Sequence, residues 1–272
     1  MKSSCCRSIL VLISLALLAP LPALGQGFAA GISPALFELR ARPGQVLRDT
    51  VTVANPGKEP ASYAFRTADW RLSDTGSVEY FEDELLEGSC RPWVKLERRA
   101  VSVRADGRKR YRFEVHVPED AESGLCRFAI LIEPEQQAMA RLGENGEMQF
   151  PIVGRYAVIT YVTIGDAKAD IEYLGMGEQT VNNLRLPTLK LHNEGNTLDR
   201  AFGEVVATDA AGRRTSLIAS SFPILPDRTE EIVLAPRQPR PGEPPVSFDY
   251  PLQLKGRIEV TGQTIRIDQT FD

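Results

Sequence analysis

Apolar and polar residues alternate with a period of two through most of this chain, the pattern of strands that bury one face and wet the other. From Asp49 to Ala54, Val51 and Val53 alternate with Thr50 and Thr52, and Asn55-Pro56-Gly57 ends the run as a turn. Between Lys109 and Val117 the pattern is stronger: Tyr111, Phe113, Val115 and Val117 point one way, Arg112, Glu114 and His116 the other. The same spacing predicts strands at 33–39, 61–70, 93–96, 100–104 and 125–133, separated by turns such as Ser73-Asp74-Thr75-Gly76 and Ala105-Asp106-Gly107. Short strands at this interval predict a sandwich. Residues 136–147 break the pattern; they are polar, carry Gly143 and Asn145-Gly146, and read as a flexible loop ahead of a long β segment from Met148 to Ile164.

After Gly165-Asp166 the alternation resumes, predicting strands at 171–174, 188–192, 203–208, 216–221, 230–234 and 256–267. Asn193-Glu194-Gly195-Asn196 and Asp209-Ala210-Ala211-Gly212 read as turns, and the five prolines of Pro236–Pro245 require an extended loop, since proline cannot donate to a ladder. The expected architecture is all-β: two tandem immunoglobulin-like β-sandwich domains, at 26–165 and 166–272.

Ahead of them, Lys2 and Arg7 precede an apolar run from Ile9 to Leu18, and Ala23-Leu24-Gly25 places small residues where a signal peptidase cuts. Residues 1–25 are therefore expected to be a secretory signal cleaved before Gln26. The run is shorter than the ~20 residues of a spanning helix, and no later run approaches that length, so no membrane span is expected after cleavage. Removing the signal leaves 30 basic against 36 acidic side chains, a net charge of −6. That balance argues against a nucleic-acid partner.

Export also bears on the cysteines. Cys5 and Cys6 leave with the signal, and Cys90 and Cys126 remain as an even pair in an oxidising compartment, where a disulfide is expected and two buried thiols are the alternative. Trp93 is expected to pack over the core beside Cys90. No CxxC occurs and the chain has two histidines, so no zinc motif can be assembled.

Candidate catalytic chemistry is thin. His116 and His192 lie on polar strand faces without an evident partner, no GxSxG or phosphate loop is present, and Glu82-Asp83-Glu84 lacks the spacing of an EF-hand and reads as a solvated loop. No enzyme, cofactor or metal is expected. Lys95, Arg98, Arg99, Arg104, Arg108, Lys109, Arg110 and Arg112 form a basic hairpin region, which either steers an acidic partner or guards sheet edges.

In its order of parts the chain resembles the PapD-like periplasmic chaperones of pilus assembly: a signal, an immunoglobulin-like domain with a loop before its long final strand, then a second β domain. The resemblance implies a periplasmic protein that holds exported β-rich, pilin-like subunits by β-strand addition and meets an outer-membrane usher. Met148, Phe150 and Ile152, which alternate with Glu147, Gln149 and Pro151 ahead of Arg155, are similar to the family's donor segment. It thereby implies partner-binding roles for Met148, Phe150, Ile152, Arg155, Tyr156 and Val158. The family's Arg and Lys that anchor a client's terminal carboxylate fall at Pro34 and Ala157, and neither can pair with a carboxylate. Ser33-Pro34, Arg42-Pro43-Gly44, Asn55-Pro56-Gly57 and Trp93-Val94-Lys95-Leu96 resemble a divergent group of exported tandem proteins related to these chaperones. Two alternatives stand beside this reading: the 148–152 side chains only extend the domain's own edge, or the chain is a structural or adhesive envelope module with no folding client.

Overall fold

The computed structural model describes residues 30–72, 77–136, 138–142, 148–152, 154–239, 241 and 245–272, with the backbone alone at 138–142 and 148–152. The expected signal, the 73–76 turn and part of the 236–245 loop lie outside the described residues.

The first alternating runs form β1 (Gly31–Ser33), β2 (Leu36–Ala41), β3 (Val46–Asn55), β4 (Ala61–Leu72), β5 (Val78–Phe81), β6 (Val94–Leu96), β7 (Ala100–Val103), β8 (Gly107–His116), β9 (Gly124–Pro134), β10 (Ala138–Leu142), β11 (Met148–Ile152) and β12 (Tyr156–Ile164). One sheet runs β1-β3-β8-β6; the facing sheet runs β2-β12-β9-β4-β5, with β7 also paired to β4. Between them Val51, Tyr111, Phe113 and Val115 meet Phe65, Phe128, Ile130, Ile132 and Val158, all buried. Phe65 stacks on Tyr111 with ring centroids 3.6 Å apart, and Phe113 takes Phe37 edge-on at 5.2 Å. Each such side chain contributes ~1.5–3 kcal/mol of burial.

Cys90 and Cys126 form a disulfide, with Cα atoms 5.4 Å apart. It ties the segment before a 3-10 turn at Arg91–Trp93 to β9, and the partly buried Trp93 packs against the same core.

Three expectations in this sandwich change. The strand expected at 33–39 divides at Ser33-Pro34, a cis peptide, so that β1 pairs with β3 and β2 with β12 on opposite sheets. Proline has no N–H to continue a ladder. The segment expected as a loop at 136–147 contains β10, which pairs antiparallel with β11 in a two-stranded ribbon. The long segment 148–164 breaks between β11 and β12.

The second sandwich comprises β13 (Ile171–Val181), β14 (Leu184–Asn193), β15 (Asp199–Arg200), β16 (Phe202–Thr208), β17 (Arg214–Ala219), β18 (Pro223–Ile224), β19 (Thr229–Pro236), β20 (Leu252–Val260) and β21 (Gln263–Phe271). Its main sheet runs β13-β14-β19-β17-β16-β20-β21, and β15 pairs with β18. β19 pairs with β14 through Thr229–Val233 and with β17 through Leu234–Pro236, so one sheet folds over at β19 and closes on Leu189, Leu191, Val205, Leu217, Ile232, Leu254 and Ile258. The strand expected at 256–267 is instead a hairpin turning at Thr261 and Gly262, whose φ values of 50° and 68° suit a two-residue turn.

One polar device recurs in both sandwiches. Asn55, at the end of β3, donates to the carbonyls of Glu59 and Val103 and accepts from the Gly57 N–H. Asn193, at the end of β14, donates to the carbonyls of Thr197 and Ile224 and accepts from the Gly195 N–H. Both amides are buried, and each satisfies the chain where it leaves the ladder. A Cβ at position 195 would collide with the Lys168 carbonyl, which explains the glycine two residues after Asn193.

The outer face of the second sheet is apolar as well. Ala68, Trp70, Ala129, Leu131 and Tyr161 are buried there with Leu225 of the second sandwich, and Trp70 meets Tyr161 edge-on at 5.5 Å. Arg200 pairs with Glu38 across the same junction, and the Asn196 amide donates to the Ser123 carbonyl at 3.0 Å.

Candidate partner-binding edge

The resemblance drew attention to the strand region 148–164, and its register shows where main chain is open. β9 flanks the whole of β12, from Tyr156 opposite Ile132 to Ile164 opposite Gly124. On the other side β2 begins opposite Ile159, where the Ile159 N–H donates to the Ala35 carbonyl at 3.1 Å. Strand alternation points the N–H and C=O of Ala157 to that same side. There the chain has already left for the other sheet at Pro34, and no strand lies opposite Ala157 among the described residues.

An apolar cleft adjoins this edge. Ala35, Leu36, Leu72, Val78, Ile159 and Phe222 line a cavity of about 410 Å³, with Leu36, Val78 and Phe222 exposed. Tyr161, also in its wall, has its phenol pushed up to about 12 by burial. Leu36 and Ile159 belong at once to the cleft and to the last pair of the β2–β12 register, two residues from Ala157.

The expected site residues fall in different places. Met148, Phe150 and Ile152 lie on β11, with main chain paired to Leu142, Ala140 and Ala138; their side chains are outside the described residues. Arg155 pairs with Glu133 and, at 3.0 Å, with Glu82, while Arg66 joins both carboxylates, so the guanidinium expected to face a partner is held by its own chain at the root of the β10–β11 ribbon. Tyr156 is half-buried, its hydroxyl accepting from the Ala30 N–H at 3.4 Å. Val158 is corrected: it is fully buried in the first sandwich's core, because inward positions of β12 face β3 and β8 across the layer, and it is not available to a partner. Ala157 packs beside the Trp70 and Tyr161 cluster.

Several charged and polar residues outside this edge serve the fold. Buried Asp69 accepts from the Leu86 N–H and the Ser89 hydroxyl, and Arg91 donates to the carbonyls of Phe81, Glu82 and Glu84. That arrangement engages the Glu82 and Glu84 main-chain oxygens of the Glu82-Asp83-Glu84 loop. The histidines do have partners: His116 Nε2 lies 2.7 Å from Glu114, and His192 Nδ1 lies 2.9 Å from the Thr229 hydroxyl. No group of three or more His, Cys, Asp or Glu able to hold a metal occurs among the described residues. No helix among them is long and apolar enough to cross a membrane.

Sequence reasoning missed the Asp69 and Arg91 knot and the paired asparagines. The asparagines left a signal, Asn-x-Gly at the end of an alternating run, twice; the knot left none, since its partners lie 17 and 20 residues from Asp69.

No family model and no curated protein matches the chain. Among solved structures it is similar to a class 5 fimbriae chaperone, CfaA, at 11% identity and TM-score 0.46, covering 86% of this chain and 99% of that one. It is similar to the YadV chaperone at 10% identity and TM-score 0.46, covering 89% and 100%. A chaperone and tip-subunit pre-assembly complex, CsuC-CsuE of Acinetobacter baumannii, aligns at 12% identity and TM-score 0.44, covering 89% and 98%. At these TM-scores the likeness assigns neither a family nor an activity to the chain.

Proposed function

We propose that this protein is a periplasmic chaperone-like factor that holds exported, pilin-like β-rich subunits by strand addition, with an outer-membrane usher as a further partner. Residues 26–165 and 166–272 are its two domains in this reading. The observation that supports it is the main chain at Ala157, which has no strand opposite it on the β2 side among the described residues and lies two residues from Ile159 in the apolar cleft of Leu36, Ile159 and Phe222. An incoming strand hydrogen-bonds to the edge while its side chains enter the cleft, so that backbone supplies affinity and pockets supply selectivity. In this reading Met148, Phe150 and Ile152 of β11 are the alternating side chains offered to the client.

The test is capture of exported proteins by the native chain and by a Phe150→Asp/Ile152→Asp variant, each tagged and purified from the periplasm. The reading requires strand-rich subunits on the native protein and their loss from the variant. Equal capture by both excludes donor residues at 150 and 152, and recovery of the chain in a stable surface assembly instead of the periplasm excludes the chaperone role.

A further inference from the structure

A second open edge lies on the opposite sheet, away from β12, and it is basic. β8 pairs with β3 along its whole length, from Val46 opposite His116 to Asn55 opposite Gly107, but with β6 only from Phe113 to Val115. The Glu97 N–H donates to the Arg112 carbonyl, after which the chain departs toward β7 and the other sheet. Alternation from Arg112 points the N–H and C=O of Arg110 and Arg108 to this vacated side. Among the described residues, β8 therefore has a strand neighbour on one side only at Arg108 and Arg110.

The side chains around that edge carry unspent positive charge. Arg108, Arg110 and Arg112 project from the wet face of β8 and are exposed, opposite Ala54, Thr52 and Thr50 of β3. Nearby carboxylates are committed at the far end: Glu97 to Arg98 and Arg112, Glu114 to Arg48 and His116. The Glu97 carboxyl is held at about 2 by hydrogen bonds from the Arg98 side chain and the Arg112 N–H. Arg110 reaches the Thr50 hydroxyl and Lys109 the Ser102 carbonyl, both at 3.4 Å, and neither ion-pairs among the described residues. Arg104 and Arg108 likewise have no carboxylate partner among them, and Asp106 is the one acid in the joining turn.

We propose that this edge binds an extended acidic polypeptide segment, its main chain along Arg108–Arg110 and its alternate carboxylates against the guanidinium row. Same-face side chains on a strand repeat every ~7 Å, so carboxylates on every second residue keep step with Arg108 and Arg110. Thr50, Thr52 and Ala54 offer a flat neighbouring face with no aromatic or long apolar side chain to enter a bilayer or stack on a base. The partner that this chemistry fits is an acidic protein strand. The site lies on the sheet opposite β12, and its occupancy is independent of client capture there.

A labelled peptide of alternating Glu and Thr serves as probe, titrated into the full chain at low salt and followed by fluorescence anisotropy. Binding should weaken about tenfold in Arg108→Thr/Arg110→Thr, the loss of two exposed ion pairs with the main-chain edge kept. It should hold in Arg257→Thr/Arg266→Thr, which removes the same charge from the second sandwich. Hydrogen exchange of the Arg108 and Arg110 amides should slow when the peptide is present; this measurement needs no variant and decides the matter if the first variant fails to fold. Absence of binding, equal weakening in both variants, unchanged exchange at these amides, or binding to phosphatidylglycerol vesicles in place of the peptide overturns the proposal.

Discussion

Replacing Asn193 by alanine removes one side chain and strands four main-chain groups. The amide nitrogen donates to the carbonyls of Thr197 and Ile224 at 2.8 and 2.9 Å, both bonds buried, and the amide oxygen accepts from the N–H groups of Gly195 and Asp170 at 3.0 and 3.2 Å. Asn193 is wholly buried. An unsatisfied buried group costs ~1–3 kcal/mol; two in full and two relieved in part by water give a loss of about 4 kcal/mol. At about 4 °C per kcal/mol for a domain of this size, the second sandwich should melt roughly 16 °C lower. Asn55→Ala should cost less, about 2–3 kcal/mol, because only its bond to Val103 is fully buried. Urea unfolding followed by near-ultraviolet signal, with m compared between variants to keep the two-state treatment honest, measures both. A loss under ~1 kcal/mol at Asn193, the usual net value of a single hydrogen bond, or a larger loss at Asn55 than at Asn193, refutes the reasoning.

Two further outcomes rest on single residues. Thr160 is wholly buried on β12 with its hydroxyl unpartnered among the described residues, so Thr160→Val, nearly the same shape without the polar atom, should stabilise the first sandwich by about 1 kcal/mol in thermal or urea unfolding; a destabilised variant would show that the hydroxyl has a partner. Reduction of the Cys90–Cys126 bridge, which spans 36 residues, should cost the first sandwich about 4 kcal/mol by chain entropy, read as a shift in urea midpoint with and without reductant, and an unmoved midpoint or two free thiols in the exported protein would sink it.

The strands were legible because their cause is local. Tyr111, Phe113 and Val115 alternate with Arg112 and Glu114 whatever the rest of the chain does, and the sandwich follows from burying the apolar side. Element ends were less legible. The alternation from 256 to 267 runs through Thr261-Gly262 and hides the turn there, and the 136–147 polarity conceals β10, whose strand character comes from pairing with β11 and not from its own pattern. Arg155 shows the same limit from the functional side. Its charge reads as partner-facing in the sequence, and only the fold brings Glu82 and Glu133 onto it.

Register explains why the candidate edges were hidden. Val158 and Ala157 are both apolar residues in one alternating run, yet Val158 is sealed in the core while Ala157 turns its main chain toward a side that β2 does not reach. Alternation distinguishes the two faces of a strand and carries no information about its two edges, since the hydrogen-bonding direction lies in the sheet plane. What opens an edge is the departure of its neighbour: proline at 34 sends the chain to the other sheet beside Ala157, and the passage from Glu97 toward β7 leaves Arg108 and Arg110. In both places the neighbouring chain crosses between layers, a step a two-sheet architecture must take somewhere. Acceptor edges in such a fold are therefore sought at its crossings, and the side chains beside each crossing, apolar at Leu36 and Ile159, basic at Arg108 and Arg110, set what each can hold.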